Sequence, residues 1–324
     1  MCASRRNPTP STSLEAATRA CMLLARLAQG TGRWLAERFG SAAGPAEGPP
    51  EGDCCGGTVY LVGAGSGSAE LLTLRAARLL RRADAVVYDR LVGDEVLALI
   101  PAGRERFDVG KARGHHSVPQ SEIGALMVRL AGQGKAVVRL KGGDPGVFGR
   151  LGEELAALEA AGVPAEIVPG ITAASAACAA MGIPLTDRAH AQQLRFVTAQ
   201  RCREDGEPDW ASLARRDETL VFYMGLGRVA AICAGLRGAG LPDDWPVMLV
   251  ANASLADQRA LIGSLADMPA RLAAEPLPSP CLVVVGSVVK RVARTPAGSR
   301  RPVMAPDRDR PRVRVVAGHG ADAQ

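Results

Sequence analysis

The sequence predicts an α/β fold made of two lobes with mainly parallel sheets and a ligand cleft between them, and three observations carry that expectation. From Thr58 onward, short β-branched runs alternate with Ala/Leu/Arg-rich stretches, the rhythm of strands joined by crossover helices. The strand candidates run into glycine or polar loops, where such folds carry their binding residues. A composition break falls at VPGITAAS, where a strand gives way to a run of small residues.

The elements follow in order. Residues 14–39 place Leu14, Ala17, Leu24, Leu27, Trp34 and Leu35 among the apolar positions of a possible amphipathic helix, and a Gly/Pro-rich linker follows. This segment lacks the continuous apolar stretch of a secretory signal. Residues 1–56 therefore read as an extension and linker, partly disordered, with an organellar transit peptide or a surface-lying helix as the alternatives. Residues 57–169 hold the strand candidates TVYLVG, AVVYD, ERFDV, AVVRLK and AEIVP and form the expected first lobe. Residues 170–290 hold RFVTA, TLVFYM, VMLVA and CLVVVG and form the second. Between strands, ELLTLRAARLLRRA, QSEIGALMVRLAGQG and RLGEELAALEAAG repeat Leu and Ala every three or four residues, as helices covering one sheet face require. Residues 291–324 are rich in Arg and Pro without apolar periodicity and read as a disordered basic tail.

Composition excludes several classes. With 47% hydrophobic and 22% charged residues, the chain is neither fibrous nor mostly disordered. Its longest apolar runs have strand length, short of the roughly 20 residues that cross a bilayer as a helix, so no membrane partner is expected. The formal charge is +6, but residues 57–290 carry 25 basic and 25 acidic residues. The excess lies mainly in the tail, and no nucleic-acid partner is expected. Eight cysteines contain no CxxC pair, which argues against a zinc site or disulfide framework. Cys178, Cys233 and Cys281 sit in apolar segments, consistent with buried thiols in a reducing, cytoplasmic setting. His115 and His116 lack a further ligand cluster, so no metal is expected.

The glycine loops carry the chemistry. The first strand runs into Gly63-Ala64-Gly65-Ser66-Gly67-Ser68, with a helix expected from near Glu70. Asp89 stands about 20 residues beyond this loop, where a dinucleotide fold places its ribose acid. At this point an NAD-dependent oxidoreductase stays open. Other strand ends read Val109-Gly110-Lys111, Lys141-Gly142-Gly143-Asp144-Pro145, Pro169-Gly170-Ile171-Thr172-Ala173 and Tyr223-Met224-Gly225. In this order, and with the segments AVVYDRLV, VGKARGHHSVPQ and VVRLKGGDPGVFGR, the chain resembles the tetrapyrrole methylase family over roughly residues 57–290, and most resembles its members that act on uroporphyrinogen III.

The resemblance implies an enzyme that transfers two methyl groups from S-adenosylmethionine to carbons 2 and 7 of uroporphyrinogen III. The product, precorrin-2, stands at the branch toward sirohaem and cobalamin. It also implies a homodimer that uses no NAD. Residue by residue, it implies donor contacts at Ser66, Gly142, Gly143, Asp144, Val147, Thr172, Ala173, Met224 and Ala253. Asp89 matches the family's proton acceptor and Lys111 its proton donor. A substrate with eight carboxylates calls for cations, and Arg113, Arg139, Lys141 and Arg150 are the candidates, since a guanidinium grips a carboxylate through two bonds.

Each motif has a plainer reading. Asp89 alone could pair with Arg90, Thr172 could cap a helix, and Gly142-Gly143-Asp144-Pro145 could be an ordinary turn. The chain also departs from the family's pattern. Gly65-Ser66-Gly67-Ser68-Ala69 replaces GPGDP, which removes two prolines and so loosens the loop. Gly146, Leu151 and Gln200 stand where an aromatic, a glycine and a histidine are common. A methylase of a later corrin intermediate and an inactive donor-binding relative are the alternatives. With only about 56 residues before the core, no NAD-binding domain of the sirohaem-synthase kind is expected at the N-terminus.

Overall fold

The computed structural model describes residues 55–110, 118–199 and 208–294. The amphipathic stretch expected at 14–39 and most of the tail lie outside these residues. The elements run β1 (Val59–Gly63), α1 (Leu74–Arg82), β2 (Ala85–Tyr88), α2 (Asp94–Leu97), β3 (Glu105–Asp108), α3 (Gln120–Gly132), β4 (Val137–Lys141), α4 (Leu151–Ala160) and β5 (Ala165–Val168). They continue as α5 (Ala173–Ala180), β6 (Gln193–Thr198), α6 (Trp210–Leu213), β7 (Glu218–Tyr223), α7 (Val229–Gly238), β8 (Pro246–Ala251), β9 (Arg259–Ser264), α8 (Met268–Ala274) and β10 (Cys281–Val285). Both sheets lie in one compact unit that begins at Cys54.

The first sheet has the order β3-β2-β4-β1-β5 with every pairing parallel. Its inner strands β1, β2 and β4 are short, buried runs because both faces are covered, whereas the edge strands β3 and β5 are largely exposed. Tyr60, Val62, Val138 and Leu140 face Ala76, Leu79 and Leu80 of α1. Val59, Leu61 and Val137 face Ile123, Met127 and Leu130 of α3 and Leu158 of α4. Each fully buried Leu or Met contributes roughly 1.5–3 kcal/mol. Helix α1 starts at Leu74, later than the expected Glu70. The Thr73 side chain accepts from Ala76 N–H and sets that start, while Ala69–Leu71 form only a short 3-10 turn. The glycine loop therefore does not open directly into a long helix, as a dinucleotide loop does.

The second sheet corrects the expectation of parallel pairing. Its order is β6-β7-β10-β8-β9. Only β6 and β7 are parallel; β10 runs antiparallel between β7 and β8, and β8 pairs antiparallel with β9. Strands β8 and β10 are buried along their whole length, so they read as the unbroken apolar runs of a parallel sheet. Strand β9 went unread because RALIGS mixes Arg, Gly and Ser and lies half-exposed at an edge. Inside, α7 and α8 pack Ile232, Cys233, Leu236 and Met268 on one face, and α5 packs Ala174, Ala177 and Cys178 on the other. The ordered chain also passes residue 290, since Ser287–Arg294 form a 3-10 stretch that buries Val288, Val289 and Val292. No helix among the described residues is long and apolar enough to cross a membrane.

At the C-terminal ends of β1, β4 and β5 the backbones touch. A Cβ on Gly170 would stand 2.3 Å from the Gly143 carbonyl oxygen and 2.8 Å from Gly63 Cα. Gly152, in α4, has open space around it. Gly170→Ala should therefore cost about 1–3 kcal/mol, whereas Gly152→Ala should gain about 0.5–1 kcal/mol, both read from urea midpoints. The three buried thiols give a second test. Burial pushes Cys178 up to about 12 and Cys233 and Cys281 up to about 11 from an ordinary 9.0. They should resist alkylation in the native protein at pH 8 and react after unfolding. The folded state keeps these protons where the unfolded chain releases them, so this contribution to stability declines as pH rises from about 9 through 11–12.

Candidate active site

The ends of β2 and β4 build the charged part of the site. Asp89 follows β2 directly and its N–H donates to the Leu140 carbonyl of β4 at 3.2 Å. Alternation along β4 turns Val137, Arg139 and Lys141 to the face under α3 and α4. Arg139 Nη2 donates to Asp89 Oδ1 at 2.6 Å, and Arg139 Nε donates to Glu154 Oε1 at 3.0 Å. Lys141 Nζ donates to the same Glu154 oxygen at 2.8 Å, and Gln120 Nε2 at 3.0 Å. The side chains of Arg139, Lys141 and Glu154 are 2%, 5% and 0% exposed, whereas that of Asp89 is 32% exposed. Burial, and then the nearby Arg139, lowers the proton affinity of Lys141; Glu154 opposes both.

This burial corrects the expectation that Arg139 and Lys141 reach out to substrate carboxylates. Their charges are enclosed and already paired, so Arg139 supports Asp89 from beneath. Arg150 does stand outside, with left-handed φ of 55° and two bonds to Glu153 at 2.8 and 2.7 Å. Lys111 and Arg113 lie outside the described residues, as do His115, His116 and Gln200.

Three loops gather beside this cluster. Gly65 and Gly143 exchange backbone bonds, Gly65 N–H to Gly143 at 3.1 Å and Gly143 N–H to Gly65 at 2.6 Å. Gly143 holds φ +71°, a conformation that suits glycine. The preceding Gly142 lies over Leu91, whose Cβ an added Cβ would meet at 2.9 Å. Asp144 is spent on the turn itself. Its Oδ1 accepts from Gly146 N–H at 2.8 Å and its Oδ2 from Gly170 N–H at 3.0 Å. Val147, half-buried, precedes Phe148, which rests on Tyr223 with ring centroids 5.0 Å apart.

Tyr223 ends β7 and closes the start of α5. Thr172 is the residue before that helix, but its side chain makes no capping bond. The Tyr223 hydroxyl instead accepts from Ala174 N–H at 3.1 Å and lies 2.6 Å from Thr172 Oγ1. Burial raises the Tyr223 pKa, against the pull of these two bonds. Ala173 is the first residue of α5, half-buried. Beyond β7, Met224 is 51% exposed with φ 55°. Ala253 sits between Asn252 and Ser254, whose φ values are 49° and 65°.

The altered first loop is held by hydrogen bonds where the family has prolines. Ser66 Oγ lies 2.5 Å from Ser254 Oγ, Ser68 accepts from Glu70 N–H at 3.4 Å, and Ala69 N–H donates to Glu95 Oε2 at 3.2 Å. A Cβ on Gly67 would meet Leu255 at 2.6 Å. The structure thus joins Ser66 to the loop of Ala253, Gly143 to Gly65, and Thr172 to the end of β7 beside Met224. Sequence reading missed Glu154, Tyr223 and Ser254. Glu154 carries a signal only once the Arg139 and Lys141 face of β4 is known to be buried, since two enclosed cations demand an acid opposite and the Glu pair of the following helix supplies it. No group of His, Cys, Asp and Glu among the described residues could hold a metal ion. Tyr223→Phe keeps the ring packing but removes the bond to Ala174, and should cost about 0.5–2 kcal/mol in urea unfolding.

Comparison with known proteins places this geometry. Residues 58–269 match the family of Tetrapyrrole (Corrin/Porphyrin) Methylases. The chain is 50% identical over 249 residues to the uroporphyrinogen-III C-methyltransferase of Paracoccus denitrificans, covering 76% of this chain and 87% of that protein. It is 47% identical over 233 residues to the siroheme synthase of Hahella chejuensis, covering 72% of this chain and 50% of that protein. The chain thus spans about half the length of the siroheme synthases it matches. Among solved structures, uroporphyrin-III C-methyl transferase of Thermus thermophilus complexed with S-adenosyl homocysteine matches with TM-score 0.62 and 42% identity, over 72% of this chain and 99% of that one. With the parallel sheet, the glycine turns and Asp89 in place, these likenesses show that the chain belongs to the tetrapyrrole (corrin/porphyrin) methylases.

Proposed function

We propose that this chain is an S-adenosylmethionine-dependent uroporphyrinogen-III C-methyltransferase that methylates carbons 2 and 7 to give precorrin-2. The observation that carries this reading is Asp89, partly exposed at a strand end and held by a buried arginine beside the Gly142-Gly143 turn, in a chain 50% identical to an enzyme of that name. Two lobes, residues 57–169 and 170–290, would hold the donor in a cleft between them; β1–β5 pair only with one another, as do β6–β10.

The residues present fit the donor. Its adenosine and the carbons around its sulfonium need small apolar surface and close backbone, and the residues assigned to it include Val147, Ala173, Ala253 and the exposed Met224, with Gly142 and Gly143. A Cβ on Gly143 would meet nothing nearer than 3.7 Å, so the turn leaves room for a ligand to approach. Ser66 and Thr172 add hydroxyls, while Asp144 acts by shaping the turn. When bound, the donor supplies an electrophilic methyl group.

The chain's own residues would then align and deprotonate. Attack by a pyrrole carbon leaves a cationic ring that must lose a proton, and Asp89 Oδ2, which has no bond among the described residues, faces that task as base. Arg139 fixes the other oxygen and so the direction of attack on the proton. Lys111 is assigned the proton donor. Arg113 and Arg150 are assigned to the substrate's acid arms, Arg150 by leaving its surface pair with Glu153, a pair of small worth. Positioning supplies most of the rate. We assign the protein to the cytoplasm, as a homodimer; three buried free thiols suit a reducing compartment.

The test is anaerobic incubation with uroporphyrinogen III and S-adenosylmethionine, followed by product mass. Two added methyl groups are expected. Asp89→Asn should lower kcat by about 10²–10⁴-fold with donor affinity unchanged by calorimetry. Full turnover by this variant would defeat the assignment of Asp89, and absence of methylation by a donor-binding wild type would defeat the substrate.

A further inference from the structure

We propose that Glu154 is a positioning residue of the active site, which fixes Arg139 and through it the carboxylate of Asp89. The inference rests on the reading of Asp89 as the base. A single oxygen of Glu154 accepts from three donors, Arg139 Nε, Lys141 Nζ and Gln120 Nε2, at 2.8–3.0 Å. Its other oxygen, Oε2, is buried with no hydrogen-bond partner among the described residues.

Nor does the core need these charges. Apolar side chains at a buried ion pair commonly serve stability as well or better, and Val137 already fills the equivalent place two residues earlier in β4. What the cluster does reach is one partly exposed side chain, Asp89. From Glu154 the contacts run to Arg139, whose Nη1 also points to the Val87 and Leu140 carbonyls at 3.5 and 3.3 Å, and from Nη2 to Asp89 Oδ1 at 2.6 Å.

Lys141 explains why the acid must be there. It lies within the field of Asp89 as well as of Glu154, and Arg139 works against its charge. With Glu154 gone, two buried cations would compete for one remaining carboxylate, Asp89. Glu154 gives Lys141 a partner of its own and leaves the Arg139 fork to Asp89. Glu218, the other buried acid of this kind, lies at the start of β7 and pairs with a half-exposed Arg195, so it touches none of this machinery.

The test is a double-mutant cycle in the full chain between Glu154→Gln and Asp89→Asn, read as kcat, KM for uroporphyrinogen III, donor affinity by calorimetry and melting temperature. Glu154→Gln should lower kcat about 100-fold with donor affinity unchanged, Glu154→Asp should recover part of it, and neither should slow the Asp89→Asn enzyme further. Should Glu154→Gln fail to fold, the pair Lys141→Met with Glu154→Leu removes the acid together with the competing cation and keeps an apolar core; a smaller loss of kcat is expected, because Arg139 still loses its Nε partner. Wild-type kcat in a folded Glu154 variant, or a loss that adds to that of Asp89→Asn, would overturn the proposal. If Asp89→Asn itself turns over normally, the reading of Asp89 fails and the positioning role with it, an outcome distinct from an inactive Asp89→Asn beside an active Glu154→Gln.

Discussion

The constraint on which the site depends is the bare backbone contact among Gly63, Gly143 and Gly170. Parallel strands β1, β4 and β5 end together, and a side chain at Gly63 or Gly170 would run into the Gly143 carbonyl and drive the turns apart. Because both side chains are absent, Asp144 can span from the β4 turn to the Gly170 amide, and α5 begins after only the four residues 169–172 beyond β5. Ser66, the Gly142-Gly143 turn, Thr172 and Ala173 are thereby held by main chain, the part of a protein least able to change rotamer.

A second layer of order comes from the other sheet. Tyr223 caps α5 from the end of β7, Phe148 rests on its ring, and Ser254 meets Ser66. Phe148, Arg150, Met224, Asn252 and Ser254 all take positive φ although none is glycine. Such conformations cost of order 1–3 kcal/mol each and persist only where their surroundings enforce them. All five lie in loops after β4, β7 or β8, beside the residues assigned to the donor. The serines of the first loop tie it by hydrogen bonds to Ser254 and to Glu70 N–H in place of the missing prolines.

The charges follow a different logic from the rest of the core. Apolar packing on both faces of each sheet supplies the favourable free energy of folding, and Arg139, Lys141 and Glu154 spend some of it to keep charge dry. In a dry setting an ion pair is stiff, because water cannot substitute for either partner. Asp89 is held in direction by that stiffness while about a third of its side chain, 32%, stays exposed.

Much of this was legible in the residues. Alternating β-branched runs and Leu/Ala-periodic helices set the α/β class, glycine-ended strands marked the loops, and the order of the motifs pointed to the methylase family and to Asp89. These features are local or sequential, and local patterns survive whatever the chain does at long range. Strand direction does not, because β8 and β10 bury both faces and look alike whether parallel or antiparallel. The burial of Arg139 and Lys141 was equally hidden, since a basic residue near a glycine turn reads as a ligand for acids until the facing helix is known. Sequence alone thus determined the α/β class and most of its strands and helices, and it marked the glycine turns at the strand ends. Only the tertiary structure decided which charges face the core and that Glu154 and Tyr223 hold the site, because burial and partnership depend on what packs across a sheet and not on what is adjacent in the chain.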